Sequence, residues 1–251
     1  MSSNLNPIID GDALLWRIGF AIKDDEPIEY CLSTLRSVIE KILAKFPDHG
    51  WYRMYIGHET SKNFRHEIAT TKEYKGNRKD KPKPKYFLEM REYLINVWKA
   101  IVVDGIESDD ACGTDQWYHK DKSTVIVAID KDLNMIPGWH YNWVKDELKY
   151  ISLKEANLFF FKQMITGDST DNIPGIPGLG AKWAERNLLL EDTIDVLEEK
   201  VYNEYKEYNK KYLEEQMDLL WIRRNRDERC PFFKRFRTGA DSTPEQHNTD
   251  V

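Results

Sequence analysis

The sequence predicts an α/β protein whose mostly parallel sheet is flanked by helices and followed by a helical C-terminal part. Three observations carry this expectation. Short β-branched runs alternate with amphipathic stretches from residue 7 to about residue 130, and strands that alternate with helices build parallel sheets. Acidic residues stand at or just past the ends of these runs, at Asp10, Glu107 and Asp130, where parallel sheets place their sites. Beyond residue 150 the apolar spacing is helical throughout.

Taken in order, Pro7 to Asp12 reads as a short buried strand ending on acid, and Leu14 to Ala21 starts a helix. Ile28, Leu32, Leu35, Val38, Ile39, Ile42 and Leu43 recur at helical spacing, so this segment packs an apolar face on the sheet. Trp51 to Ile56 is a second strand. Residues 72 to 85 carry seven lysines and arginines, with Pro82 and Pro84 preventing a regular helix. Helical spacing returns from Tyr86 to Trp98, Ile101 to Val103 is a strand, Ser108 to Tyr118 a helix and Thr124 to Ile129 a strand. Ser152 and Glu155 form a capping-box pair at the start of a helix that runs to the Gly167 turn. Helices over Gly180 to Leu189, Asp192 to Tyr205 and on toward Arg224 complete the expectation, and the small polar residues from about Thr238 predict a disordered tail.

At 251 residues the chain can bury a full core. Thirty-seven basic against 43 acidic residues give a net charge of -6, which argues against a generally polyanion-binding protein but not against clustered basic contacts. Cys31, Cys112 and Cys230 are odd in number and scattered, as reduced thiols of an intracellular protein are. The N-terminus lacks a charged-then-apolar signal, and no apolar run approaches the roughly 18 residues of a membrane span. The expectation is a cytoplasmic protein with no membrane partner.

Four acidic stations stand out: Asp10 with Asp12, Glu107 with Asp109 and Asp110, Asp130 with Asp132, and Asp168 with Asp171. Each alone has a plain explanation as a turn former or a helix N-terminal charge. Gathered at one sheet edge they repel one another, and like charges in a shared site either protonate or recruit cations. Oxygen donors without a His or Cys cluster favour Mg²⁺ or Mn²⁺ over zinc. Two such ions about 4 Å apart activate a water and stabilise the leaving oxygen of a phosphodiester.

Six motifs occur in a recognisable order: Ile9-Asp10-Gly11, Asn63-Phe64-Arg65-His66-Glu67, Glu73-Tyr74-Lys75-Gly76-Asn77-Arg78, Glu107-Ser108-Asp109-Asp110, Asp130-Lys131-Asp132-Leu133, and Gly167-Asp168-Ser169-Thr170-Asp171-Asn172-Ile173-Pro174-Gly175. Together, from residue 8 to about 190, they resemble the 5′-nuclease family of flap endonucleases, phage 5′→3′ exonucleases and the 5′-nuclease domains of bacterial DNA polymerase I. The resemblance implies a PIN-like catalytic core over residues 1–150, with a basic arch or loop at about 72–98. A helical region over 151–237 would contain a helix-three-turn-helix DNA-binding element, and 238–251 would be a tail.

The resemblance also implies site roles. Asp10, Glu107 and Asp109 would hold the first metal ion, and Asp110, Asp130, Asp132, Asp168 and Asp171 would surround the second. Relatives usually place an Asp after the second strand, where this chain reads Gly57-His58-Glu59; His58 or Glu59 would substitute, or the first site is weakened. Lys75 and Arg78, with Asp130, form the catalytic set, the two cations approaching the scissile phosphate. Arg65 lies beside them on the DNA, and Tyr74 is placed to stack on an unpaired base. Gly178-Leu179-Gly180-Ala181-Lys182 resembles the hairpin that binds duplex phosphates in relatives, with Arg186 on the same helix face as Lys182. A K⁺ ion there would sit on loop carbonyls such as those of Ile173 and Ile176.

Between Arg78 and Glu107 only 28 residues intervene, where the flap endonucleases that the chain resembles tend to have a longer arch. The expected activity is therefore a divalent-metal-dependent 5′→3′ exonuclease on DNA, weighted above strict flap cleavage and extending to the RNA of RNA-DNA hybrids. The expected substrate is DNA with a 5′ end, nick, gap or flap, and the expected enzyme a phage-type stand-alone monomer in the bacterial host cytoplasm. Two other readings remain: a DNA-binding accessory protein with a metal site degenerate at His58, and a single-strand RNase of the PIN fold.

Overall fold

A computed structural model describes residues 4–60, 62–79, 81–119 and 123–236; the tail expected over 238–251 lies outside the described residues. Six strands, β1 (Asn6–Asp10), β2 (Arg53–Gly57), β3 (Ile101–Val103), β4 (Thr124–Val127), β5 (Gly138–Asn142) and β6 (Glu147–Ile151), form one sheet in the order β3-β2-β1-β4-β5-β6. The first five are parallel and β6 runs antiparallel to β5. The chain builds outward from β1 through β2 to β3, then crosses back to place β4 on the other side of β1. The strand order thus switches between β1 and β4, and the crevice at their carboxyl ends is where such sheets hold ligands.

Side chains alternate across the sheet. Ile9, Val125 and Val127 pack on one face against α1 (Gly11–Gly19), α2 (Ile28–Ala44) and α4 (Phe87–Asn96), while Ile8 and Ile126 point to the other. That second face is covered by α5 (Ser108–Tyr118) and α6 (Leu153–Thr166), and through them by α8 (Ile194–Tyr205) and α9 (Lys210–Leu220). Phe160 and Phe161 are fully buried there, with Phe161 4.9 Å from Phe232 and Phe160 5.2 Å from Trp221 between ring centroids. Two shorter helices, α3 (Arg65–Ile68) and α7 (Ala181–Asn187), pack against α9 and α6 respectively.

The helix ends follow their sequence signals. Ser152 and Glu155 make the reciprocal capping box, with Glu155 N–H to Ser152 Oγ at 3.2 Å and Ser152 N–H to Glu155 Oε2 at 2.8 Å. Asp10 caps α1, its Oδ1 accepting the N–H groups of Asp12 and Ala13 at 3.1 and 3.3 Å.

Three sequence expectations shift. The β5–β6 hairpin was not foreseen, the fourth strand stops at Val127 rather than Ile129, and the basic loop contains a 3₁₀ turn at Gly76–Arg78. The hairpin escapes pattern reading because its apolar and polar residues do not alternate cleanly, and its turn carries Asp146 in the left-handed region at φ 53° instead of a glycine.

His140 on β5 lies buried, its Nε2–H donating to Ile136 O at 2.7 Å. Burial pushes its pKa down to about 4. The unfolded chain therefore binds a proton that the folded chain refuses, and stability that is complete above about pH 6.5 drains away as pH falls toward 4, by up to about 3 kcal/mol. Urea midpoints at pH 7, 5.5 and 4.5 should fall less steeply for His140→Gln than for wild type. Parallel losses in both proteins would assign the slope to other groups.

Candidate active site

At the β1/β4 switch point the strand ends open into a cleft of about 1040 Å³, lined by Asp10, Asp12, Glu107, Asp109 and Asp130 together with Lys75, Arg78 and His58. Each arrives by a simple route. Asp10 ends β1, Glu107 is the N-cap of α5 with Asp109 in its first turn, and Asp130 follows β4. Ser108 Oγ donates to Asp10 Oδ1 at 3.0 Å and joins the first two stations. Asp12 Oδ2 accepts the Gly57 N–H at 3.0 Å, which ties the start of α1 to the end of β2.

The carboxylates press on one another. Burial, then Asp12, raises Asp10 to about 7. Burial, then Asp10, Asp130 and Glu107, raises Asp109. Burial, then Asp130 and Asp168, raises Asp132 to about 8. Asp130 contributes to all three shifts and so stands between the two halves of the cluster. Glu107 is the exception: against its burial, Lys75 and Arg65 hold it down at about 2.

Cations and one phenol already engage part of this acid. Lys75 Nζ is hydrogen-bonded to Glu107 Oε1 and lies 3.7 Å from Asp171 Oδ2. Arg78 Nη2 donates to Asp171 Oδ1 at 2.8 Å, and Lys131 Nζ lies 3.7 Å from Asp168 Oδ1. Among the described residues no three His, Cys, Asp or Glu side chains form a ready set of ligands around one point. The donors are nevertheless carboxylate oxygens apart from His58, and the repulsion that raises their proton affinity also attracts a divalent cation.

Three residues take other roles than the sequence suggested. Arg65 is 1 % exposed and is not displayed at the surface. Its Nη1 and Nη2 grip Asp110 at 2.6 and 2.9 Å, while Nε and Nη2 reach Leu219 O and Trp221 O at 2.9 and 2.7 Å. Asp110 is 0 % exposed, completes a capping box with Glu107 and accepts the Arg223 N–H at 3.1 Å. Its oxygens are engaged by Arg65 and by backbone, and it does not line the cleft. Tyr74 is 3 % exposed, its hydroxyl 2.8 Å from Glu107 Oε2 and 2.7 Å from Asp171 Oδ2. A ring buried in this way offers no face for a base to stack on. Of the two residues after β2, His58 lines the cleft, while Glu59 is exposed and 3.9 Å from Lys83.

The fourth station sits in a tight loop. Asp168 and Ile173 pair through both backbone groups, at 2.9 and 2.8 Å, and Asp168 Oδ1 accepts the Thr170 N–H at 3.1 Å. Gly167 at φ 65° and Gly175 at φ 60° stand so close that a Cβ on either would lie 2.3 Å from backbone of the other arm. Beyond the loop Gly178, at φ 86°, and Gly180 are exposed, and Lys182 and Arg186 project from α7 into solvent. The carbonyls of Ile173 and Ile176 each accept one backbone N–H, from Asp168 and Leu179.

Sequence reasoning missed several cleft residues. Trp16, Phe20 and Lys131 line it, with Trp16 39 % and Phe20 59 % exposed. The four-residue spacing of Trp16 and Phe20, on α1 and at its C-cap, could have revealed those two. Gln163 Nε2 donates to Asp132 Oδ1 at 2.6 Å from inside α6; no motif marks it.

A family model described as the 5′-3′ exonuclease, N-terminal resolvase-like domain matches residues 6–159. The chain is 30% identical over 199 residues to a 5′-3′ exonuclease of Buchnera aphidicola subsp. Schizaphis graminum, covering 70% of this chain and 67% of that protein. It is 26% identical over 199 residues to the flap endonuclease Xni of Vibrio parahaemolyticus, covering 72% and 74%. Among solved structures it resembles the bacteriophage T5 5′-exonuclease with bound divalent metal ions (zinc), at TM-score 0.64 and 19% identity, over 86% of this chain and 88% of that one. The T5 flap endonuclease has also been solved in a pseudo-enzyme-product complex with DNA and metal ions, at TM-score 0.58 and 19% identity over 85% and 88% of the two chains.

Proposed function

The chain belongs to the family of the 5′-3′ exonuclease N-terminal resolvase-like domain, and from that premise we propose that it hydrolyses phosphodiester bonds at 5′ ends of DNA with two divalent ions, Mg²⁺ or Mn²⁺. The observation that carries the reading is the carboxylate-rich cleft at the β1/β4 switch point, in which burial and mutual repulsion raise Asp10 and Asp109, while burial, Asp130 and Asp168 raise Asp132. Asp10, Glu107 and Asp109 would hold one ion; Asp130, Asp132, Asp168 and Asp171 would hold the other. Bound there, the ions would neutralise the carboxylates and supply the Lewis acidity that activates water and a leaving alkoxide.

The remaining work falls to side chains of this chain. Lys75 and Arg78 now lie on Glu107 and Asp171, and a phosphodiester entering the cleft offers both cations a better-placed anion. They then orient it and stabilise its developing charge. Trp16 and Phe20 present apolar surface at the same mouth, suited to an unpaired base. Exposed Gly178, Gly180, Lys182 and Arg186 hold duplex phosphates, with K⁺ at the Ile173 and Ile176 carbonyls as part of that grip. Substrates are duplexes with a 5′ end, nick, gap or flap, including RNA paired to DNA.

The test is cleavage of 5′-flap, nicked, blunt and single-stranded DNA with Mg²⁺ or with EDTA. Cleavage of the duplex-bearing substrates with Mg²⁺ alone is expected. Persistence in EDTA overturns the metal reading, whereas duplex binding without cleavage points to an accessory DNA-binding protein.

A further inference from the structure

Segment 73–78 and loop 169–172 are fastened to each other across the cleft wall. Lys75 N–H donates to Asp171 O at 3.0 Å, Asn172 Nδ2 to Glu73 O at 2.8 Å, Asn77 Nδ2 to Ser169 O at 2.7 Å, and Arg78 Nε to Thr170 O at 2.9 Å. Lys75 and Asn172 both adopt left-handed backbone, at φ 55° and 63°. Side chains that are not glycine pay for that conformation, and here the two strained residues are held by bonds that run in opposite directions between the same two segments.

At the centre of this clasp stands the Tyr74 hydroxyl, between Glu107 from the helix after β3 and Asp171 from the loop after α6. A phenol has one proton to donate. It can bridge two carboxylates only where nearby cations relieve their repulsion, and Lys75 and Arg78, with Arg65 Nη1 3.5 Å from Glu107 Oε2, surround the pair. The ring itself is locked: His66 meets it edge-on at 5.3 Å between centroids, and the core closes over the rest. In this position the ring has no open face for a base.

We infer that Tyr74 is a positioning residue: its hydroxyl fixes the spacing between Glu107 and Asp171, the carboxylates that the proposed function assigns to different ions. The inference rests on that two-ion reading. It accounts for why the hydroxyl is buried where burial is costly unless it is bonded, and why the clasp around it is built from otherwise unfavourable backbone.

The experiment compares wild type with Tyr74→Phe, a change that removes one oxygen and keeps the ring. Three quantities are read: Mn²⁺ binding followed by electron paramagnetic resonance without DNA, kcat and KM on a 5′-flap duplex, and the thermal midpoint. Loss of a hydrogen bond that orients ligands is expected to weaken Mn²⁺ affinity and lower kcat by about ten- to a hundredfold, with KM for DNA and the thermal midpoint unchanged. If Tyr74 served by base stacking, the retained ring would leave all of these at wild-type values, so a Tyr74→Phe protein that matches wild type overturns the inference. So does a drop in kcat with Mn²⁺ affinity intact. Wild-type protein that binds no Mn²⁺ overturns the two-ion reading itself, a result distinct from either of these.

Discussion

Asp130→Ala is expected to lower kcat by about a thousandfold, roughly 4 kcal/mol of barrier, while leaving duplex affinity and the thermal midpoint near wild type. Asp130 is solvent-exposed just past the end of the switch-point strand, and it accepts the Asp132 N–H at 2.9 Å within its own turn, so the fold loses little without it. Its charge nevertheless acts on Asp10, Asp109 and Asp132 alike. Glu107 also acts on both halves, on Asp109 and on Asp171, but Lys75 and Arg65 already engage it. Single-turnover cleavage with saturating Mg²⁺, set beside DNA binding in EDTA, checks the prediction. Residual activity within tenfold of wild type would remove Asp130 from the centre of the site.

The second large effect concerns stability. Arg65→Met should cost about 3–5 kcal/mol, because it leaves a fully buried Asp110 carboxylate without its counter-charge, whereas Arg65→Met with Asp110→Leu should recover most of that loss. Urea unfolding of the two single variants and the double variant measures the coupling. A loss below about 1 kcal/mol for Arg65→Met would show that the pair is not isolated from solvent.

Half of this site could be read from the chain because it is local. Asp10, Glu107, Asp109 and Asp130 are acidic residues at the ends of recognisable strands or at the start of the helix that follows one, and sheet topology carries such residues to one edge. Burial is not local. Tyr74 and Asp171 are 97 residues apart in sequence, and Arg65 and Leu219 are 154 apart. Nothing in Tyr74-Lys75-Gly76-Asn77-Arg78 distinguishes a tyrosine that greets a base from one that braces two carboxylates. Asp109 and Asp110 make the same point on a smaller scale. Neighbours on a helix point about 100° apart, so one looks into the cleft and the other into the core, and the sequence offers the same side chain for both.

The Arg65 junction also bears on the order in which this protein comes into being. Two of the acceptors of its guanidinium, the carbonyls of Leu219 and Trp221, lie near the end of the described chain, and the Arg223 N–H completes Asp110. Chains emerge from the ribosome N-terminus first. During synthesis the strand ends and their acids are exposed long before the residues that steady α5 exist. The bracing of α5 is thus complete only once the chain as far as Arg223 has been made.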